Sequence, residues 1–293
     1  MSGQTSFRWR SRIALRVICL GATALPLAAC STFEGLNPFS GEKYETKILP
    51  DVPADDIYNQ GIARTQAHDT EGAVKKFGQL EKDFAYSDYA RRGLLMQTYA
   101  QYNGGNYDDA VESGARYVKL YPNTPDTPYA LYLQAMSQYS QVPDISRDQG
   151  QSAKALELFE QIVQKYPNSE YANDAKFKIQ VARDQLAGKE MSIGRFYLAR
   201  KNYTAAINRF REVLAKYQTT RHTEEALMRL TEAYMGLGIT DEAQTAAAIL
   251  GHNFPDSEWY KDSYALLKDN GLEPHENQGS WISQAFHKIG LSG

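Results

Sequence analysis

Two cysteines, three tryptophans and five histidines in 293 residues leave little material for thiol, indole or imidazole chemistry. Cys19 and Cys30 both fall in the first thirty residues, so everything beyond them is without a disulfide or a thiolate ligand. His68, His222, His252, His275 and His287 form no zinc-helix motif and stand at no metal-ligand spacing with cysteine. No glycine loop ends in lysine and a hydroxyl, and "NGGNY", residues 103–107, reads as a turn between helices. The pairs Asp108–Asp109 and Glu224–Glu225 fall at helix starts, where the helix dipole accounts for them. No catalytic constellation emerges, and the expectation is a protein that is not an enzyme and has no metal or cofactor. Excess positive charge is missing too. A formal charge of −3 gives no broad attraction to nucleic acid or to an anionic membrane face.

What is present begins with a leader. Arg8, Arg10, Arg12 and Arg16 stand without an acid among them, and an apolar segment runs from Val17 to Ala29. It is shorter than the ~20 residues of a membrane-spanning helix. A basic head, a short apolar segment and small residues describe a secretory signal peptide, 1–29; the other reading is an amphipathic or core helix. The end of the segment, Leu27-Ala28-Ala29-Cys30, resembles the lipobox of bacterial lipoproteins. That resemblance implies cleavage before Cys30, lipid on its sulfur and acylation of the new amino terminus. Loss of the leader takes the charge to about −7, 28 basic residues against 35 acidic. Attachment to a membrane then falls to the lipid. Residues 30–53 carry Pro38, Pro50 and Pro53 without helical period and read as a flexible tether.

From Asp55 onward one pattern returns five times. Its anchors are Ala73, Ala110, Ala155, Ala206 and Ala243, small enough for two antiparallel helices to approach. Phe77, Phe159 and Phe210 follow at plus four, on the same helix face. An aromatic stands at plus eleven every time: Phe84, Tyr121, Tyr166, Tyr217 and Phe254. Proline follows at Pro122, Pro167 and Pro255, where it stops a helix. Ser87, Thr124, Ser169, Thr220 and Ser257 at plus fourteen are expected N-caps for the next helix. The pattern resembles the tetratricopeptide repeat, with Gly194 and Tyr197 at that family's first-helix glycine and tyrosine and Tyr234 repeating the tyrosine. The resemblance implies an all-α, right-handed superhelical solenoid of about five helix pairs. The boundaries read as repeats one and two at 54–123, repeat three at 124–168 and repeat four at 169–219. Repeat five follows at 220–256, a capping helix at 257–268 and a flexible tail at 269–293. The anchors are 37, 45, 51 and 37 residues apart, so two units carry insertions. One is "QVPDISRDQ", 141–149; the other lengthens the first helix of unit four into one long helix from Glu170 to about Arg200. In the tail Trp281, Ile282, Ala285, Phe286 and Ile289 share one helical face, fit either to pack on the body or to bind a partner.

A helical solenoid offers a concave groove for extended or helical peptides. The first helices of the early units carry Tyr58, Met96, Tyr99, Tyr102, Tyr129, Tyr132, Met136 and Tyr139, which either face that groove or pack between repeats. Arg91 and Arg92 are placed to meet an acidic side chain or a terminal carboxylate. The peptide-binding set expected is therefore Arg91, Arg92, Met96, Tyr99, Tyr129 and Tyr132. "TPYALYLQAMSQYSQVPDISRDQ" and "ALELFEQIVQKYPNSEYANDA" are similar to the repeats of the outer-membrane β-barrel assembly lipoproteins. That resemblance implies a lipid-anchored scaffold on the periplasmic face of the outer membrane. The implied partners are a BamA-type insertase, bound through its periplasmic domains, other assembly lipoproteins, and unfolded barrel precursors. It implies precursor recognition by the N-terminal repeats and the insertase on the C-terminal ones. A periplasmic repeat protein of peptidoglycan or cell-division machinery is the alternative of a different class.

Overall fold

The computed structural model describes residues 52–142 and 149–287, leaving Cys30, the tether up to residue 51, Arg147, Asp148 and Ile289 outside the described residues. Within them the chain is helical: α1 (Ala54–Gln66), α2 (Thr70–Asp83), α3 (Asp88–Asn103), α4 (Tyr107–Leu120), α5 (Thr127–Ser140), α6 (Gly150–Lys165), α7 (Ala172–Ala199), α8 (Tyr203–Lys216), α9 (Thr223–Leu237), α10 (Thr240–Asn253), α11 (Glu258–Asp269) and α12 (Trp281–His287). Consecutive helices pack as antiparallel pairs from α1 to α10. First helices also pack on one another, α1 with α3, α3 with α5, α7 with α9, while second helices do so less. A stack that is tight along one row and open along the other must curve, and the first helices line its inner face. This is an all-α solenoid of five helix pairs closed by α11, which packs on α9 and α10.

Each sequence position in the repeat has its packing reason. The five anchor alanines are fully buried, and so are Phe77, Phe159 and Phe210. Gly61 and Gly194 face two of those rings: a Cβ on either would lie 2.4 Å from the phenylalanine Cε1. The aromatic at plus eleven is the residue at which every second helix ends. The turn between paired helices places the residue five before the anchor in the left-handed region in four units: His68, Gly105, Lys201 and Gly238.

The expected caps hold in two of five places. Ser87 and Ser257 accept from the amides of Ala90 and Trp259. Thr124, Ser169 and Thr220 instead open an extra turn, and α5, α7 and α9 start three residues later. There Thr220 bonds backward, its Oγ1 donating to the Tyr217 carbonyl at 2.8 Å. The long helix of unit four is one element of 28 residues. It joins two cores, since Ala175 and Ile179 pack with α5 and α6 while Ala187, Met191 and Leu198 pack with α8 to α10. The segment expected to be a flexible tail is packed on the body through α12, where Ile282 and Phe286 are fully buried.

Candidate functional site

The inner face is aromatic along its N-terminal half. Tyr58 of α1 tilts against Phe77 and Tyr89 at 5.9 and 5.8 Å between ring centres. Tyr129 of α5 stacks on Tyr171, just before α7, at 5.2 Å and 22°. Tyr132 meets the same ring at 5.0 Å and donates to Asp174 Oδ2 at 2.7 Å. These contacts bridge α5 to the start of α7. Met96 and Tyr99 of α3 line a separate cleft of about 290 Å³ with Ile62, Gln66 and His68.

The Tyr129 and Tyr132 phenols stay protonated at neutral pH, and Tyr132 serves as a donor. Burial, with Tyr99 and Tyr102 nearby, pushes the Tyr129 hydroxyl up to about 12. Burial first, and then the bond to Asp174, pushes Tyr132 up as well. Tyr132, Met136 and Tyr139 are partly buried against the core of repeat three. Tyr99 and Tyr129 are half-buried. An array of half-buried amphipathic rings gives apolar contact and hydrogen bonding to a peptide at little cost in side-chain entropy.

The two arginines are already engaged by carboxylates of the body, Arg91 more fully than Arg92. The Arg91 guanidinium donates to Asp88 Oδ1 at 2.8 Å, to Tyr117 Oη at 3.1 Å and to Asp126 Oδ2. Tyr117 is fully buried and its hydroxyl also meets Thr124 Oγ1 at 3.1 Å. Arg91 is thus a tie between repeat two and the turn into repeat three, and it already holds two carboxylates. It lines a cleft of about 720 Å³ with Tyr86 and Leu120, apart from the cleft of Met96 and Tyr99. Arg92 Nε pairs with Asp88 Oδ2 at 2.7 Å but remains 54% exposed. Tyr171, Asp174 and Tyr117 were not among the expected site residues. Tyr171 had a signal, an aromatic just ahead of the long helix; Tyr117 had none beyond its helical spacing.

The C-terminal half of the inner face is ionic instead. Arg195 of α7 pairs with Glu225 of α9 at 2.8 Å, and Arg229 bridges Glu225 and Glu232 at 3.4 and 2.8 Å. The Arg229 guanidinium lies 5.4 Å over the Trp259 ring of α11. One groove thus has two chemistries, aromatic over repeats one to three and charge-paired over repeats four and five.

A family model described as outer membrane lipoprotein, YfiO, matches residues 50–250. The chain is 42% identical over 255 residues to a Caulobacter vibrioides protein named outer membrane protein assembly factor BamD, covering 87% of this chain and 84% of that one. It is 41% identical over 218 residues to the protein of the same name from Rickettsia prowazekii, 74% of this chain and 87% of that one. For the one from Neisseria meningitidis serogroup A the identity is 31% over 252 residues, 83% and 92% of the two chains.

Proposed function

The chain belongs to the YfiO family of outer membrane lipoproteins, and from that premise we propose that it is a lipid-anchored scaffold for assembling β-barrel proteins into the outer membrane. The observation that carries the reading is the extent of the likeness. A relative named for outer membrane protein assembly matches over 87% of this chain, and the family match spans α1 into α10. The protein works at the outer membrane, on its periplasmic face, held by acyl chains on Cys30. The aromatic groove of repeats one to three takes an extended segment of an unfolded barrel precursor, through Met96, Tyr99 and Tyr129, with Arg92 for a carboxylate. Arg91 and Tyr132 support that groove from behind, by fixing the turn into α5 and the start of α7. The ionic inner face of repeats four and five holds a BamA-type insertase through its periplasmic domains, and other assembly lipoproteins join the same complex.

The test separates the two faces. Affinity purification of the intact lipoprotein from solubilised membranes is expected to bring down the insertase. A Tyr99→Ala/Arg92→Glu variant is expected to keep the insertase and lose crosslinking to a barrel-precursor peptide about ten-fold. Unchanged crosslinking sinks the groove assignment. Failure of the unaltered chain to bring down any barrel insertase sinks the assembly reading itself.

A further inference from the structure

The second helices of the solenoid stand apart, but the wedge between α8 and α10 is filled by α12, which packs on both. Ile282 and Phe286 are fully buried there. The Trp281 indole donates to the Tyr234 hydroxyl at 2.9 Å, with the Arg211 guanidinium 4.8 Å over its ring. The segment leading to α12 hangs from α10: Gln244 Nε2 donates to the Glu273 carbonyl at 2.7 Å, and Ser280 Oγ to Glu242 Oε2 at 2.5 Å.

A helix of seven residues does not persist alone in water, because nucleation costs more than so few hydrogen bonds return. α12 is therefore helical because it is docked, in the manner of a ligand that folds on binding. The fit is also incomplete. A space of about 340 Å³ remains beside it, lined by Arg211, Leu214, Gln218 and Gln284. Gln218 is 6% exposed; its Nε2 donates to the Ala285 carbonyl at 3.1 Å, while its Oε1 is buried without a partner.

We propose that the wedge between α8 and α10 is a docking groove for an amphipathic helix of a partner protein, and that α12 occupies it as a displaceable plug. The seated segment fixes what the groove reads: an indole, an apolar side chain at the next position and an aromatic ring at the fifth. A longer partner helix gains what α12 leaves unused. It fills the remaining space, supplies an N–H to Gln218 Oε1 and sets a carboxylate against Arg211. Segments docked through few buried side chains sit at the low end of local stability, so the exchange lies within reach of such a competitor. The proposal does not rest on the assembly reading and concerns the opposite face of the solenoid.

The experiment uses the full chain with a protease site inserted after Gly271, cleaved after purification. The probe is a labelled synthetic peptide of residues 272–293. The cleaved chain is expected to bind it saturably, and a Trp281→Ala/Phe286→Ala peptide about ten-fold more weakly. A longer helical peptide that keeps Trp, Ile and Phe and adds glutamates is expected to displace α12 from the uncleaved chain. Arg211→Glu weakens that displacement. A cleaved chain that takes up no peptide, or takes both peptides equally, overturns the proposal. So does a chain truncated after Gly271 whose repeats four and five lose their helical circular dichroism, since α12 is then part of the core. An uncleaved chain that dimerises by exchanging α12 assigns the groove to a second copy and overturns the partner helix.

Discussion

A methyl group has no room at Gly194, where it would meet the ring of fully buried Phe210 at 2.4 Å. Overpacking of this kind costs about 1–3 kcal/mol, against about 1 kcal/mol that alanine returns as helix propensity. Gly194→Ala is therefore expected to lower the urea midpoint. Gly78→Ala, on an open face where an added Cβ meets nothing within 4 Å, is expected to raise it, through about 1 kcal/mol of added stability. His222 sets a pH dependence. Its half-buried imidazole has Nε2 without a hydrogen-bond partner and 3.7 Å from Asp184 Oδ1. Burial holds its pKa below the ordinary histidine value, Asp184 opposing and Arg221 assisting. The unfolded chain then binds the proton more readily, so stability is full above ~6.5 and falls as pH drops through the folded value. Thermal melts between about pH 7 and 5 are expected to show that fall, and His222→Gln to flatten it. At this scale the repeat residues were legible because each recurs with one offset. Arg91 was not, because nothing in its own helix signals that Asp126 and Tyr117 would close on it. Lys201 and His68 hid the left-handed turn that Gly105 and Gly238 advertise.

The element that decides how the halves communicate is α7. Its length was legible from the absence of proline between Ala172 and Ala199, with only Gly188 and Gly194 to weaken it. How it joins two cores depends on which of its faces meet α6 and α8, which is a property of the stack. The cap positions were less legible: a hydroxyl at plus fourteen is as able to bond backward, as Thr220 does, as to cap forward. Between Ile179 and Ala187 the helix itself carries the connection between the two cores. Gln185→Pro removes a helical hydrogen bond there and clashes with the preceding turn, at about 3 kcal/mol. The expected result in calorimetry is a lower first transition and its separation from a second, each belonging to one half. A single transition merely shifted downward would show that α7 is not what couples them. The tail belongs at this scale too. Its apolar spacing announced a helix face, but only the splay of α8 from α10, a property of the stack, supplies the wedge that receives it.

For the whole molecule the question is what holds the solenoid at a membrane. No helix among the described residues is long and apolar enough to cross one. The chain without its leader is acidic, at about −7, so its interaction with anionic headgroups is repulsive and works against attachment rather than for it. The device proposed is acylation at Cys30, where each buried methylene would contribute ~0.8 kcal/mol and several chains together would make a lasting anchor. Cys30→Ser is then expected to move the protein into the soluble periplasmic fraction. Its melting temperature and helical content are expected to match those of the unaltered body, because Cys30 lies ahead of α1, where the repeats begin. Fractionation alone does not decide the matter, since an insertase held as proposed on repeats four and five would retain even an unanchored scaffold. The deciding measurement is the intact mass of the mature amino-terminal peptide. A diacylglyceryl thioether and an acylated amine on Cys30 are expected, and a mature Cys30 without lipid mass overturns the anchor. A scaffold fixed by lipid ahead of α1, as proposed, and with no membrane-spanning helix among its described residues would keep both faces of its solenoid open to partners. The aromatic groove inside and the α8–α10 wedge outside can then be engaged at once.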